Sequence, residues 1–244
     1  KTGCRQEYRA GGKIVEDIKD ALTDIRERMR RAAAACHRDP DSVRLVAVSK
    51  TVPTERVLEG IQAGITILGE NYVQEAQEKI EALRSYPVSW HFIGHLQSNK
   101  ARHAIGLFDL IHSVDSFKLA KELDKRAKAA AKIQKILIQV NISGEETKSG
   151  IDPVQTLQLV RDIGELEHLS VRGLMTMPPF FNAPEQVRPY FRALKELQNR
   201  IREAAPPRVI MEELSMGMSG DFETAVQEGA TLVRIGTSIF GRRS

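Results

Sequence analysis

Apolar positions along the chain fall into two alternating kinds of segment. Short runs rich in Val, Ile and Leu read as strands at residues 43–49, 65–69, 90–94, 110–114, 135–142, 171–176, 213–216 and 232–235. Longer stretches between them repeat their apolar residues every three to four positions. These predict helices near residues 54–63, 72–84, 98–106, 116–132, 153–165, 184–205 and 219–228, with a further helix at roughly 14–36 before the first strand. Eight strands separated by helices call for a parallel sheet, and eight is the number that closes. The expected fold is therefore α/β, a single (β/α)8 TIM-type barrel with an extra N-terminal helix. No Pro/Gly/Ser-rich linker interrupts the alternation, so residues 13–244 read as one domain and residues 1–12 as a tail. A doubly wound open sheet is the alternative, but no G-x-G-x-x-G follows the first strand.

Composition narrows the classes of function. The chain is 41% hydrophobic and 28% charged, as in an ordinary globular protein. No apolar run is long enough to span a bilayer, and the first residues lack the apolar centre of a signal peptide, so a cytoplasmic protein without membrane contact is expected. Cys4 and Cys36 stand alone, which argues against a disulfide framework or a zinc site. A net charge of +4 raises nucleic-acid binding. Basic residues are interleaved with acidic ones along the helices, however, and aromatics make up only 5% of the chain, so no stacking platform exists and nucleic acid is not expected as a partner.

The first strand ends on Lys50. Alternation puts Val46, Val48 and Lys50 on one face and Leu45, Ala47 and Ser49 on the other, so the amine follows two core valines. Desolvation makes such an amine a nucleophile able to form a Schiff base with an aldehyde. Taken alone, a strand-end lysine that snorkels into water is the more ordinary reading. Barrel chemistry sits at the carboxyl ends of the strands, which makes the other exits informative. The run 215–221, Ser-Met-Gly-Met-Ser-Gly-Asp, passes from a strand into a helix with Ser219 as N-cap, and Gly236-Thr237 follows the last strand. Together they suit a phosphate cup, or else Ser219 merely caps its helix. Arg234, between Val233 and Ile235, points inward with Leu232 and needs a partner, which a heterocyclic nitrogen would be. A Schiff-base lysine, a phosphate cup and an arginine facing a ring nitrogen suit pyridoxal 5'-phosphate.

Other constellations carry less. His91 and His95 are four apart, but on a strand and its exit, where that spacing does not gather a metal. No Ser/His/Asp set is legible, and nothing links Glu70 to Asp221 as an acid/base pair. Lys148 sits in the loop 143–150 after the fifth strand, which rises from the same mouth as Lys50. Two glycines suggest a mobile loop, and Lys148 is either a secondary amine that accepts the aldehyde during release or a solvated partner of Glu145 or Glu146.

The segments 45–51 (LVAVSKT), 69–75 (GENYVQE), 90–94 (WHFIG) with 96–100 (LQSNK), 141–143 (NIS) with 148–150 (KSG), 173–176 (GLMT) and the run 214–241 occur here in order. In this the chain resembles the pyridoxal phosphate homeostasis protein family, whose barrels are similar to the N-terminal domain of alanine racemase. The resemblance implies that Lys50 carries the cofactor as a reversible Schiff base, that Arg234 faces its ring nitrogen, and that Ser219, Gly236 and Thr237 hold its phosphate. It further implies Asn71 and Met216 as pocket neighbours. The expected role is then to supply or buffer pyridoxal 5'-phosphate in vitamin B6 homeostasis, as a monomer without catalytic residues or metal, with apo forms of enzymes that use the cofactor as recipients. The rival is an amino-acid racemase on the same barrel. Two-base racemisation needs an acid on the opposite face of the cofactor, and similar racemases take it from a second domain and a partner subunit, which the residues after the eighth strand are not expected to build. A barrel that binds a phosphate ligand with no Schiff base is the third reading.

Overall fold

The computed structural model describes residues 9–10, 13–14, 17–145, 147–179, 181, 183–204, 206 and 208–241. The expected tail, residues 1–12, lies outside these apart from 9–10, whose backbone pairs antiparallel as β1 (Arg9–Ala10) with β2 (Lys13–Ile14). Eight further strands are β3 (Arg44–Val48), β4 (Ile67–Glu70), β5 (Ser89–Phe92), β6 (Leu110–Val114), β7 (Gln134–Gln139), β8 (Leu169–Met175), β9 (Val209–Ser215) and β10 (Leu232–Ile235). They pair in chain order, all parallel, and β10 returns to β3, so the sheet closes as a barrel. Helices α2 (Thr54–Gln62), α3 (Val73–Ala82), α4 (Ala101–Leu107), α5 (Phe117–Ala129), α6 (Pro153–Gly164), α7 (Arg188–Ala204) and α8 (Phe222–Gln227) alternate with the strands, as the periodicity predicts.

Closure divides the apolar residues into two layers. Val46, Ile67, Leu110, Leu137, Met175 and Leu232 point inward from six strands and fill the interior. Their neighbours in sequence point outward and join the larger layer between sheet and helices, which includes Ala47, Leu68, Ile111, Ile136, Ile138 and Val233. The extra helix α1 (Ile18–Ala35) packs against α2, α8 and a last short helix, α9 (Thr237–Phe240). Asp17 caps its start by accepting from the Lys19 amide at 2.9 Å. Its stripe of Leu22, Ile25 and Met29 is buried, each side chain contributing about 1.5–3 kcal/mol. Arg28 then ties α1 to α8 through both oxygens of Glu223 and stacks on the Phe222 ring.

The observed elements depart from the expected ones where charge or shortness hides the pattern. Strand β9 starts four residues earlier than its apolar run, because Glu212 and Glu213 interrupt the alternation. Both carboxylates are paired across the sheet, Glu212 with Arg172 and Glu213 with Arg44. Helix α9 has four residues, too few for a period to register.

Gly173 sets the spacing of β8 and β9. A Cβ at this position would lie 1.9 Å from the Glu213 carbonyl oxygen, so the two backbones approach as only glycine allows. Gly173→Ala should force the strands apart and lower stability by about 3 kcal/mol, read as a fall in the urea unfolding midpoint; a midpoint equal to the parent's would show that the sheet yields there.

Candidate functional site

A pocket of about 250 Å³ opens at the carboxyl ends of the strands. Lys50, Asn71, Ser219, Gly220, Asp221, Arg234, Gly236 and Thr237 supply its polar rim and floor, while Val48, Ile93, Met177, Phe181 and Met218 supply apolar walls. Six of the expected site residues meet here, namely Lys50, Asn71, Ser219, Arg234, Gly236 and Thr237. Parity carries Lys50 inward as expected: Val46 lies in the interior layer, and Val48 and Lys50 line the pocket above it. Strand β3 itself stops at Val48, and Lys50 rides on a turn closed by the Val52 amide donating to the Ser49 carbonyl at 3.0 Å. Asn71 follows β4, and Gly94 lets the exit of β5 press against it, since a Cβ there would lie 2.3 Å from the Asn71 carbonyl oxygen.

The segment after β9 differs from its expected form. Ser219 does not cap a helix; α8 starts at Phe222 with Asp221 in the cap position. The Asp221 carboxylate turns back and accepts from the Met218 amide at 2.6 Å, while the amides of Asp221 and Phe222 donate to the Met218 carbonyl. This closes a tight turn in which the amides of Ser219 and Gly220 take no part, and both residues face the pocket. Burial pushes the Asp221 carboxyl up, against the opposing pull of the Met218 amide and Arg234. Met216 is not a pocket residue. Ser215 ends β9 pointing inward, so Met216 points outward and is fully buried between sheet and helices. Gly217, at φ +92°, reverses the chain so that Met218 lines the pocket instead.

Arg234 forms the floor and is 4% exposed. Its Nη1 donates to Ser215 Oγ at 2.6 Å and its Nη2 to the Thr176 carbonyl at 2.9 Å. Ser215 Oγ lies 2.9 Å from His112 Nδ1, and His112 Nε2 lies 3.0 Å from His91 Nδ1. A continuous chain of hydrogen bonds thus crosses the barrel interior from β5 through β6 and β9 to β10. Burial lowers the Arg234 guanidinium to about 10, with Asp221 acting the other way, so it stays charged at neutral pH. Burial likewise lowers His91 to about 4 and His112 well below its ordinary value, where a second proton would also face His91 and the Arg234 charge, so both rings are neutral.

With this geometry in view, the relatives become informative. The alanine racemase N-terminal domain family matches residues 21–244. The pyridoxal phosphate homeostasis protein of Aquifex aeolicus is 45% identical over 224 residues, which span 92% of this chain and 97% of the relative. The chain belongs to the pyridoxal phosphate homeostasis protein family. Among solved structures, PipY of Synechococcus elongatus with pyridoxal phosphate bound superposes with a TM-score of 0.81 at 36% identity, covering 92% of this chain and all of PipY. Alanine racemase of Clostridium difficile shares the fold, at a TM-score of 0.72 and 14% identity, and this chain spans 57% of its length.

For this family member, two sequence expectations remain apart from the pocket. Lys148 does not line it: its ammonium pairs with Glu145 at 3.2 Å, and Asn141 pins the loop by donating to the carbonyls of Glu145 and Lys148. Gly150 packs on the Asn141 amide, so the described part of the loop is tied down where two glycines suggested mobility. His91 is buried inside the barrel and His95 exposed outside it. Among the described residues, no three His, Cys, Asp or Glu side chains gather as a metal centre would. The residues that sequence reasoning missed are Ser215 and Thr176 as partners of Arg234, with His112 behind Ser215. For His112 and Ser215 the available signal was parity, because each lies at an inward position of its strand; Thr176 follows β8 and contributes only a backbone carbonyl, which no side-chain pattern marks.

The neutral histidines give a pH dependence of defined sign. Both are bases whose folded pKa lies below the unfolded value of about 6.5, so the unfolded chain takes up protons that the fold refuses. Their contribution is complete above pH 6.5 and is lost as pH falls; for His91 alone, with its folded value of about 4, the loss amounts to about 3 kcal/mol by pH 4. Replacing His91→Gln keeps an acceptor for His112 and removes the titration. Urea midpoints between pH 7 and pH 4 should therefore fall less steeply in this variant, and identical slopes would show that His91 is protonated in the fold.

Proposed function

We propose that the chain binds pyridoxal 5'-phosphate reversibly through Lys50 and serves the supply and buffering of this cofactor rather than a catalytic cycle. The observation that carries this reading is the meeting, in one pocket, of an amine, a buried guanidinium and a hydroxyl- and glycine-rich rim. The rim leaves room for a phosphate, since a Cβ on Gly220 would meet nothing within 4 Å. Asn71 Oδ1 is buried without a hydrogen-bond partner among the described residues, a state that a polar ring substituent would relieve. Val48, Ile93, Met177 and Phe181 suit the faces of an aromatic ring.

When bound, the cofactor supplies an aldehyde carbon to which the Lys50 amine adds with loss of water, a link that hydrolysis reverses. Ser219, Gly220, Gly236 and Thr237 would hold the phosphate through hydroxyls and backbone amides. Arg234, held by Ser215 and the Thr176 carbonyl, would donate to the ring nitrogen and keep its own proton. That withholds the electron-sink character on which amino-acid chemistry draws. The non-catalytic part of the reading is supported by the relatives' name, which describes homeostasis and no reaction. The reading further takes the protein as a cytosolic monomer that hands the cofactor to apo-enzymes.

Lys50→Ala should abolish borohydride-fixed attachment of the cofactor while the thermal melt stays near the parent's, because the side chain supplies a bond and little packing. Covalent trapping on another lysine in that variant would overturn the assignment. Arg234→Leu should weaken retention or shift the visible absorption of the loaded protein, and an unchanged spectrum with unchanged affinity would remove the guanidinium from the ring. Incubation with alanine in deuterated water, followed by chiral analysis, should show no turnover; a rate near the ordinary enzyme median of roughly 10 per second would make the protein a racemase.

A further inference from the structure

Behind the pocket lies a second buried ionic cluster to which neither the sequence nor the relatives assign a role. Lys79, on α3, is 4% exposed. Its ammonium donates to the Ser49 carbonyl at 2.6 Å, to Glu70 Oε1 at 2.9 Å and to Glu75 Oε1 at 2.6 Å, which uses all three of its protons. Glu70 is fully buried, and its Oε1 also accepts from the Ser49 hydroxyl at 2.7 Å. Glu75 Oε1 in turn accepts from the Thr51 amide at 2.5 Å. Every one of these bonds ends on Lys79 or on a residue flanking Lys50.

The backbone at that turn requires holding. Thr51 has φ +61°, in the left-handed region that a β-branched residue rarely enters. Such a conformation persists only where the surroundings over-determine it. Here the carbonyl before Lys50 is fixed by Lys79 and the amide after it by Glu75, and Lys79 joins the two. A buried cation with two carboxylates is a costly way to fill a core position, and hydrophobic residues of similar size often serve stability as well. What this cluster adds is the geometry of three backbone residues.

We propose that Lys79 and Glu75 are positioning residues that latch the Ser49-Lys50-Thr51 turn, so that the Lys50 amine is presented to the pocket in one orientation. The inference rests on the proposed cofactor role only where cofactor trapping is the readout. Glu75 is partly exposed, so Glu75→Ala releases the Thr51 amide to water without opening the core, whereas Glu75→Gln keeps an amide oxygen for it. Lys79→Met is the more drastic partner.

Three quantities are to be measured on the full chain. They are hydrogen exchange at the Thr51 amide, the acylation rate of Lys50 by trace acetic anhydride relative to surface lysines, and the rate of borohydride-fixed attachment of pyridoxal 5'-phosphate to Lys50. For Glu75→Ala the expected result is faster exchange, a shifted acylation rate and attachment slowed roughly tenfold at an unchanged thermal melt, with Glu75→Gln restoring all three. Lys79→Met should act in the same direction, and if it fails to fold, Glu75→Ala alone decides. Exchange and Lys50 reactivity equal to the parent's in Glu75→Ala would overturn the latch. So would faster exchange with unaltered Lys50 rates, which would leave the cluster a purely structural support. If the parent traps no cofactor while acylation of Lys50 still responds to Glu75→Ala, the cofactor reading fails and the latch stands.

Discussion

A permanent positive charge stands at the centre of a closed barrel with no carboxylate among the described residues in hydrogen-bond contact. Arg234 can keep that charge only because the strands around it deliver dipoles at the right height: the Ser215 hydroxyl from β9, the Thr176 carbonyl after β8, and behind Ser215 the two neutral histidines of β6 and β5. Without them the desolvation of the guanidinium would outweigh what packing returns. Register follows from this requirement. Leu232 pairs with Ser215 across β10 and β9, and Met175 with Ser215 across β8 and β9, which brings Thr176, Ser215 and Arg234 to neighbouring levels.

Much of the fold was legible in the sequence because the barrel repeats one simple unit. Each buried parallel strand is an apolar run and each covering helix an amphipathic one, so seven of the eight strands were located within a few residues. The exception, β9, carries two glutamates whose charges are met by Arg172 and Arg44 from other parts of the chain. Local sequence holds no trace of such partners. The same limit explains why α9 went unseen and why α8 begins three residues later than its N-cap signal: the Asp221 carboxylate prefers the Met218 amide to the helix start.

The pocket was partly legible for a related reason. Lys50 and Arg234 betray themselves by being charged at inward positions, and glycines with hydroxyls mark the rim. Met216 shows the converse, since its place beside Ser215 in sequence puts it on the other face of the sheet. The polar groups that make Arg234 and Lys50 usable were hidden, being His112 and Ser215 in one case and Glu70, Glu75 and Lys79 in the other. Each of these is unremarkable in its own segment, and only closure and the packing of α3 bring them together.

The hydrogen-bond chain through the barrel has one further property. Arginine can only donate, so Ser215 Oγ accepts from it and has its own proton left for His112 Nδ1, the acceptor within reach. With the Ser215 proton given to Nδ1, His112 carries its own proton on Nε2 and gives it to His91 Nδ1, which leaves the His91 proton on Nε2. All links point the same way, with lone pairs toward the guanidinium and N–H ends away from it. The interior therefore holds a row of aligned side-chain dipoles that does for Arg234 what the carboxyl end of a helix does for a cation. Its polarity is a single collective property, because no one ring can change tautomer unless its neighbours change with it.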